Sequence, residues 1–342
     1  MIFARGVHST STPIIQTRDT GSGQELVLTY DLYAPNGLIW DGGSSTWDVN
    51  KAAHWHAAEG STGTTKFSTY DDVTFENPAE GVAPSVATMN DDIWVTHMSL
   101  QAGTSPEVKN TVTVNTALYD LNVDFLDAEA NTGFVKTGQG TANVGIADNA
   151  FGADLTVKNG TLDAIFVGGK NGETQDVSSR AVREGGELVV TVGDGVDASN
   201  VVFDANSSLS GLNDIVVQKG STAEFKGTTT ITQPGSGHAS IIAGEGATIN
   251  FTGDTTLSDY EITFGGQGSI ILGEHTTVQQ KTGAHHYVAD SVDLRIEKLT
   301  MTSPNNDYCI AEHASLTVGN LVMHNANQDQ QYYHAFEYNE DD

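Results

Sequence analysis

The sequence predicts an all-β chain wound as a parallel solenoid, and three observations carry that expectation. Short β runs recur along the chain, each closed by a Gly or Asn turn. Glycine is abundant, at 37 residues, while charged residues make up only 17%, and Thr, Val, Asn, Asp and Ser fill the intervals. No segment shows three clean turns of amphipathic helix.

The runs follow in order at 26–33, 71–75, 93–98, 110–114, 121–125 and 153–158. They continue at 187–192, 200–203, 214–218, 222–225, 228–232 and 248–251, and close at 261–264, 269–272, 276–279, 294–302, 315–318 and 321–323. Ala247-Thr248-Ile249-Asn250-Phe251-Thr252 alternates strictly, one apolar face against one polar face. Asn36-Gly37, Asn159-Gly160 and Asn171-Gly172 read as turns, because Asn and Gly tolerate positive φ.

An antiparallel sandwich or barrel would also use many short half-buried strands. The solenoid is preferred because glycine-bounded phrases recur. They include Lys158-Asn159-Gly160-Thr161-Leu162, Gln218-Lys219-Gly220-Ser221-Thr222 and Gly244-Glu245-Gly246-Ala247-Thr248. Their spacing of about 20 to 35 residues is that of solenoid coils. At about 24 residues per coil and ~4.8 Å per rung, the chain would make roughly a dozen coils in a rod of about 60 Å. The section 1–127 reads as less regular and 128–342 as regular coils of the same continuous, elongated domain.

The net charge of −29, from 44 acidic and 15 basic residues, disfavours nucleic acid and anionic membranes as partners. Its simplest role is a solvated surface that resists aggregation. One cysteine, Cys309, excludes an intrachain disulfide and reads as a small buried apolar residue. Residues 1–6 lack the apolar core of a signal peptide, and no apolar run is long enough to span a membrane.

Two segments resemble a known family. Leu38-Ile39-Trp40-Asp41-Gly42-Gly43 leads through Trp47-Asp48 and His54-Trp55 to Asp71-Asp72-Val73-Thr74-Phe75. That order resembles the Trp-Asp-Gly-Gly unit of bacterial autotransporter passengers, with His54 standing where Asn is usual. Phe134-Val135-Lys136-Thr137-Gly138-Gln139-Gly140-Thr141-Ala142, running on to Thr156-Val157-Lys158-Asn159-Gly160-Thr161-Leu162, is similar to the autotransporter-associated β-strand repeat. There Ala142 replaces the usual Leu and should weaken inward packing.

The resemblance covers roughly a fifth of the chain. It implies a right-handed parallel β-helix of pectin-lyase-like architecture, secreted to the Gram-negative cell surface through a C-terminal translocator barrel not present in this chain. The chain then reads as a fragment, with residues 338–342 forming neither a membrane strand nor a cap.

Candidate chemistry is sparse. Trp40, Trp47 and Trp55 suggest sugar stacking, but more simply cover a coil end, with each indole N–H finding a partner. The pairs Asp71-Asp72 and Asp91-Asp92 suggest a glycosidase, yet adjacent strand residues diverge. With five arginines (Arg5, Arg18, Arg180, Arg183, Arg295) and no stacked Asp ladder, a pectin-cleaving centre is not expected. Neither Gly193-Asp194-Gly195 nor Gly253-Asp254-Thr255 supplies a serine nucleophile.

His275, His285, His286 and His313 read as exposed turn histidines rather than a metal site. Gly193-Asp194-Gly195-Val196-Asp197 is too isolated to be a calcium coil. No catalytic, cofactor-binding or metal residues are therefore expected. The leading functional expectation is a non-enzymatic surface protein for adhesion or display, whose ligands are glycans or proteins of host or neighbouring cells. A polysaccharide-active lyase or glycoside hydrolase is the alternative.

Overall fold

In the computed structural model the chain is a parallel β-helix. The structure describes residues 8–11, 14–20, 23–29, 31–41, 43–58, 63–76, 84–102, 109–232, 238–258, 261–278, 285–301, 307–323 and 336–338. Residues 1–6, expected to form no signal peptide, and 339–342 of the terminal stretch 338–342, expected to form neither a membrane strand nor a cap, lie outside them.

Among the described residues, three sheets of fifteen, ten and eight strands form the long, second and third walls, and a separate two-stranded hairpin joins Ile14–Asp19 to Gln24–Thr29. From Thr141–Ile146 to Thr276–Val278 each coil visits the long, third and second wall in turn, as in Thr161–Phe166, Gln175–Val177 and Arg180–Arg183. The strands from Asp72–Phe75 to Thr132–Thr137 alternate between the long and second walls, as in Leu121–Ala128 followed by Thr132–Thr137. The third wall begins at Ala150–Phe151. Parallel pairing from coil to coil excludes the antiparallel sandwich. Along the long wall from Thr141–Ile146 to Asp307–Ile310, each coil spans 20 residues (Val144 to Ala164) to 26 (Leu162 to Leu188).

Alternation in each strand sends one set of side chains inward, and register stacks like upon like. Phe203, Phe225 and Phe251 form an inward column on the third wall, with ring centroids 4.6 and 4.8 Å apart and rings nearly parallel. That separation is the rung spacing itself, and each ring contributes roughly 2–3 kcal/mol of apolar burial. Ala142 faces inward between Leu121 and Leu162 and is fully buried.

The base of the rod is closed by aromatic rings. Trp40, Trp47, Trp55, Phe67 and Phe75 are all buried and meet edge-on or tilted at 4.8 to 6.1 Å. Strands Trp55–Ala57 and Thr64–Thr65 run antiparallel along the outer edge of Gly37–Trp40. A short antiparallel ribbon thus ends the long wall there, which blunts edge-to-edge pairing.

Three local expectations are corrected. Trp40 donates its indole N–H to the Gly43 carbonyl at 3.4 Å, but Trp47 Nε1 is buried without a hydrogen-bond partner. Packing against the rings of Trp55, Phe67 and Phe75 leaves it no acceptor. Asn36-Gly37 is not a turn, because Gly37 opens a strand paired to Asp72. Cys309 faces outward beside Tyr287 and is half-buried, since its neighbour Tyr308 takes the inward place.

Candidate functional site

The main concavity lies on the outer face of the long wall, where the two-walled section gives way to three walls. Strand Leu121–Ala128 pairs with Thr141–Ile146 over only Leu121, Asn122 and Val123, yet follows Ile93–Leu100 as far as Ala128. At Asp124 and Phe125 two successive residues are only half-buried, a break in alternation that turns both toward the outer face. Beside this break, the two longest turns from long to third wall, residues 167–174 and 193–199, rise over the sheet.

The resulting groove encloses about 660 Å³. Asn122, Asn143, Asn149 and Asn171 supply amides, Asp124, Glu173, Asp194 and Asp197 carboxylates, and Lys170 the one Lys or Arg among the described residues of the lining. Phe125, Val167 and Val196 give it an apolar component.

Its rim is fixed by Gln175, which is fully buried. The Gln175 amide donates to the carbonyls of Ile146 at 3.1 Å and Asp148 at 2.7 Å, and its oxygen accepts from Gly168 N at 3.0 Å. One side chain thereby sews two corner turns together. Gly169 needs to be glycine, because its φ is +64° and a Cβ would stand 2.0 Å from the Asn200 carbonyl.

Most of the lining carboxylates are already engaged. Lys170 Nζ lies 2.9 Å from Asp194 and 3.6 Å from Asp197. Burial works against ionisation of Asp194, but hydrogen bonds from the backbone of Asp197, from Lys170 and from the backbone of Val196 outweigh it and hold the carboxyl below its usual range. Glu173 accepts from the Asn149 amide at 2.9 Å, and Asp124 is bonded to His8, whose ring stacks on Tyr70 at 3.7 Å. Outside the lining, two residues past Phe125, Asp127 shifts the other way. Burial raises its carboxyl above the usual range; Asp148 adds to this, His97 opposes it, and Asp72 contributes last.

The groove gathers few of the residues the sequence singled out. Asp71 and Asp72 diverge as expected: Asp71 is buried and accepts from Tyr33, Asn36 and Ser68, whereas Asp72 faces His97 at 3.2 Å. Asp91 binds Lys51 and Val49 N, while Asp92 accepts from Asp120 N. Gly193-Asp194-Gly195-Val196-Asp197 forms a corner turn on the groove wall, with Asp194 accepting from the N–H groups of Val196 and Asp197.

The histidine expectation is corrected for His286. It points into the core from a strand, not a turn, and both ring nitrogens lack a hydrogen-bond partner. Among the described residues no three His, Cys, Asp or Glu side chains converge as a metal-holding group.

Sequence reasoning passed over Trp94, Asn122 and Asn143. Trp94 stands between the fully buried Ile93 and Val95, so alternation alone sends its ring outward, where it is 40% exposed. Aligning Leu121-Asn122-Val123 with Ala142-Asn143-Val144 would have stacked the two amides. In the structure they pair in register, and Asn143 donates to Asn122 at 2.9 Å. No protein-family model, curated protein or solved structure matches this chain.

Proposed function

We propose that the chain is a non-enzymatic rod that binds ligands along its flank, serving adhesion or display. In this reading it is a segment of a bacterial passenger protein secreted to the cell surface through a separate translocator barrel. The observation that carries the reading is the state of the groove carboxylates. Asp124, Glu173 and Asp194 are each tied to a neighbouring side chain, and Asp194 is held ionised, so the lining offers recognition groups rather than a proton donor. The two family-like units around Trp40 and Lys136 support the cellular setting.

The test is retention of the purified chain on arrays of glycans and extracellular-matrix proteins, with reducing-end release measured in parallel. Saturable retention without release supports the reading. Release of new reducing ends would replace it.

A second reading, a polysaccharide-cleaving enzyme, is favoured by one feature. Asp127 is biased toward the protonated form by burial and by Asp148, as a general acid would be. If Asp127→Asn abolished measured reducing-end release, this reading would prevail.

A further inference from the structure

We infer that the groove and the ring of Trp94 form one binding site for an uncharged oligosaccharide laid along the rod axis. The inference rests on the reading of the chain as a ligand-binding rod and names the ligand class. Trp94, Asn122 and Asn143 occupy successive rungs of one outward column, joined by the register Trp94–Asn122 and Asn122–Asn143. Rungs repeat at ~4.8 Å, comparable to the advance per ring of an extended glycan. A flat apolar face followed by two amides matches a sugar chain, whose rings present C–H faces and whose edges present hydroxyl donors and acceptors.

The strands that carry Asn122 and Asn143 have partners on both sides, so they offer no free edge on which a peptide could add as a strand. The bonded Asn pair is also held in place before a ligand arrives, which lowers the ordering cost of binding.

Charge decides the class of sugar. Among the described residues the lining carries Asp124, Glu173, Asp194 and Asp197 against Lys170, and Lys170 is already paired with Asp194 and Asp197. A uronate or sulfated glycan would meet an excess of like charge along the groove. Hydroxyls and acetamido groups meet no such barrier.

The experiment is calorimetric titration of the whole chain with uncharged hexose and N-acetylhexosamine oligosaccharides and with uronate oligosaccharides. Wild type is compared with Trp94→Ala, Trp94→Phe and, on the third wall, Leu321→Ala. Trp94 and Leu321 are each 40% exposed, so neither replacement empties the core. The expected result is binding of an uncharged oligosaccharide that weakens about tenfold or more in Trp94→Ala, is restored in part by Trp94→Phe and is unmoved by Leu321→Ala.

Binding unaffected by Trp94→Ala would overturn the site, and equal affinity for uronates would overturn the ligand class. If no oligosaccharide binds while matrix proteins are still retained on the array, the inference fails and the adhesion reading stands. If neither is bound, both fail.

Discussion

The ammonium of Lys136 donates a hydrogen bond to the carbonyl oxygen of Asn159 at 2.7 Å, across the boundary between two successive coils. It also donates to the carbonyls of Gly138, at 2.8 Å, and Gly140, from within the fully buried environment of the second wall. Lys136 therefore closes two glycine corners at once, and its three donors meet three acceptors. Burial draws its pKa down from 10.5 to about 8, with Asp120 opposing the shift.

Lys136→Met should cost about 2–4 kcal/mol in urea unfolding, because it strands three inward carbonyls. The pH dependence has a definite sign. Between about 8 and 10.5 the unfolded chain holds the Lys136 proton more tightly than the folded chain. Wild-type stability should rise through that window relative to the Met variant. A parallel pH dependence in the two proteins would refute the assignment.

Phe225 stacks between Phe203 and Phe251 with both neighbouring rings nearly parallel to its own. Phe225→Ala should cost about 3–5 kcal/mol, since the coils above and below are held at the rung spacing and the space cannot close by collapse. Phe225→Leu should cost about 1–2 kcal/mol. Thermal melts of the two variants give the comparison, and equal effects would mean that the column relaxes.

The winding of the chain was legible because Ile249, Phe251 and their counterparts alternate with polar residues and glycines recur at coil spacing. Strands that escaped notice, among them Ser208–Leu212 and His238–Ala243, sit in Ser- and Gly-rich stretches that look like turns. Their β state comes from pairing with neighbouring coils rather than from local propensity.

The groove was harder to read. It depends on a break in alternation at Asp124–Phe125 and on turns 167–174 and 193–199, which no periodicity announces. Trp94 was an exception, since Ile93 and Val95 on either side already turned it outward.

His286 is buried in the core between Phe264 and Tyr308, with ring centroids 6.5 and 5.1 Å away. Burial, and then the charge of His285, lower its pKa from 6.5 to about 4, and no hydrogen-bond partner meets either nitrogen. The unfolded chain accepts the proton first. The stability that neutral His286 allows is therefore complete above about 6.5 and is lost progressively as pH falls toward 4. His286→Phe should flatten this acid limb of the melting-temperature profile. An unchanged limb would place the acid sensitivity elsewhere.

Trp47 poses a sharper question, because its indole N–H is buried without an acceptor while its rings fill the base of the core. Removing the whole side chain and removing the donor should then separate. Trp47→Ala opens a cavity beside Trp55, Phe67 and Phe75 and should cost about 3–5 kcal/mol. Trp47→Phe loses ring area but also relieves an unpaired polar group, a penalty of about 1–3 kcal/mol, so its net effect should be within about 1 kcal/mol of wild type. Hydrogen exchange at the amides of Gly37–Trp40 and Trp55–Ala57 reads the effect locally, because those strands cover the aromatic base. Protection should collapse in the Ala variant and persist in the Phe variant. Equal loss in both would mean that the indole N–H is satisfied after all and that the base of the rod depends on it.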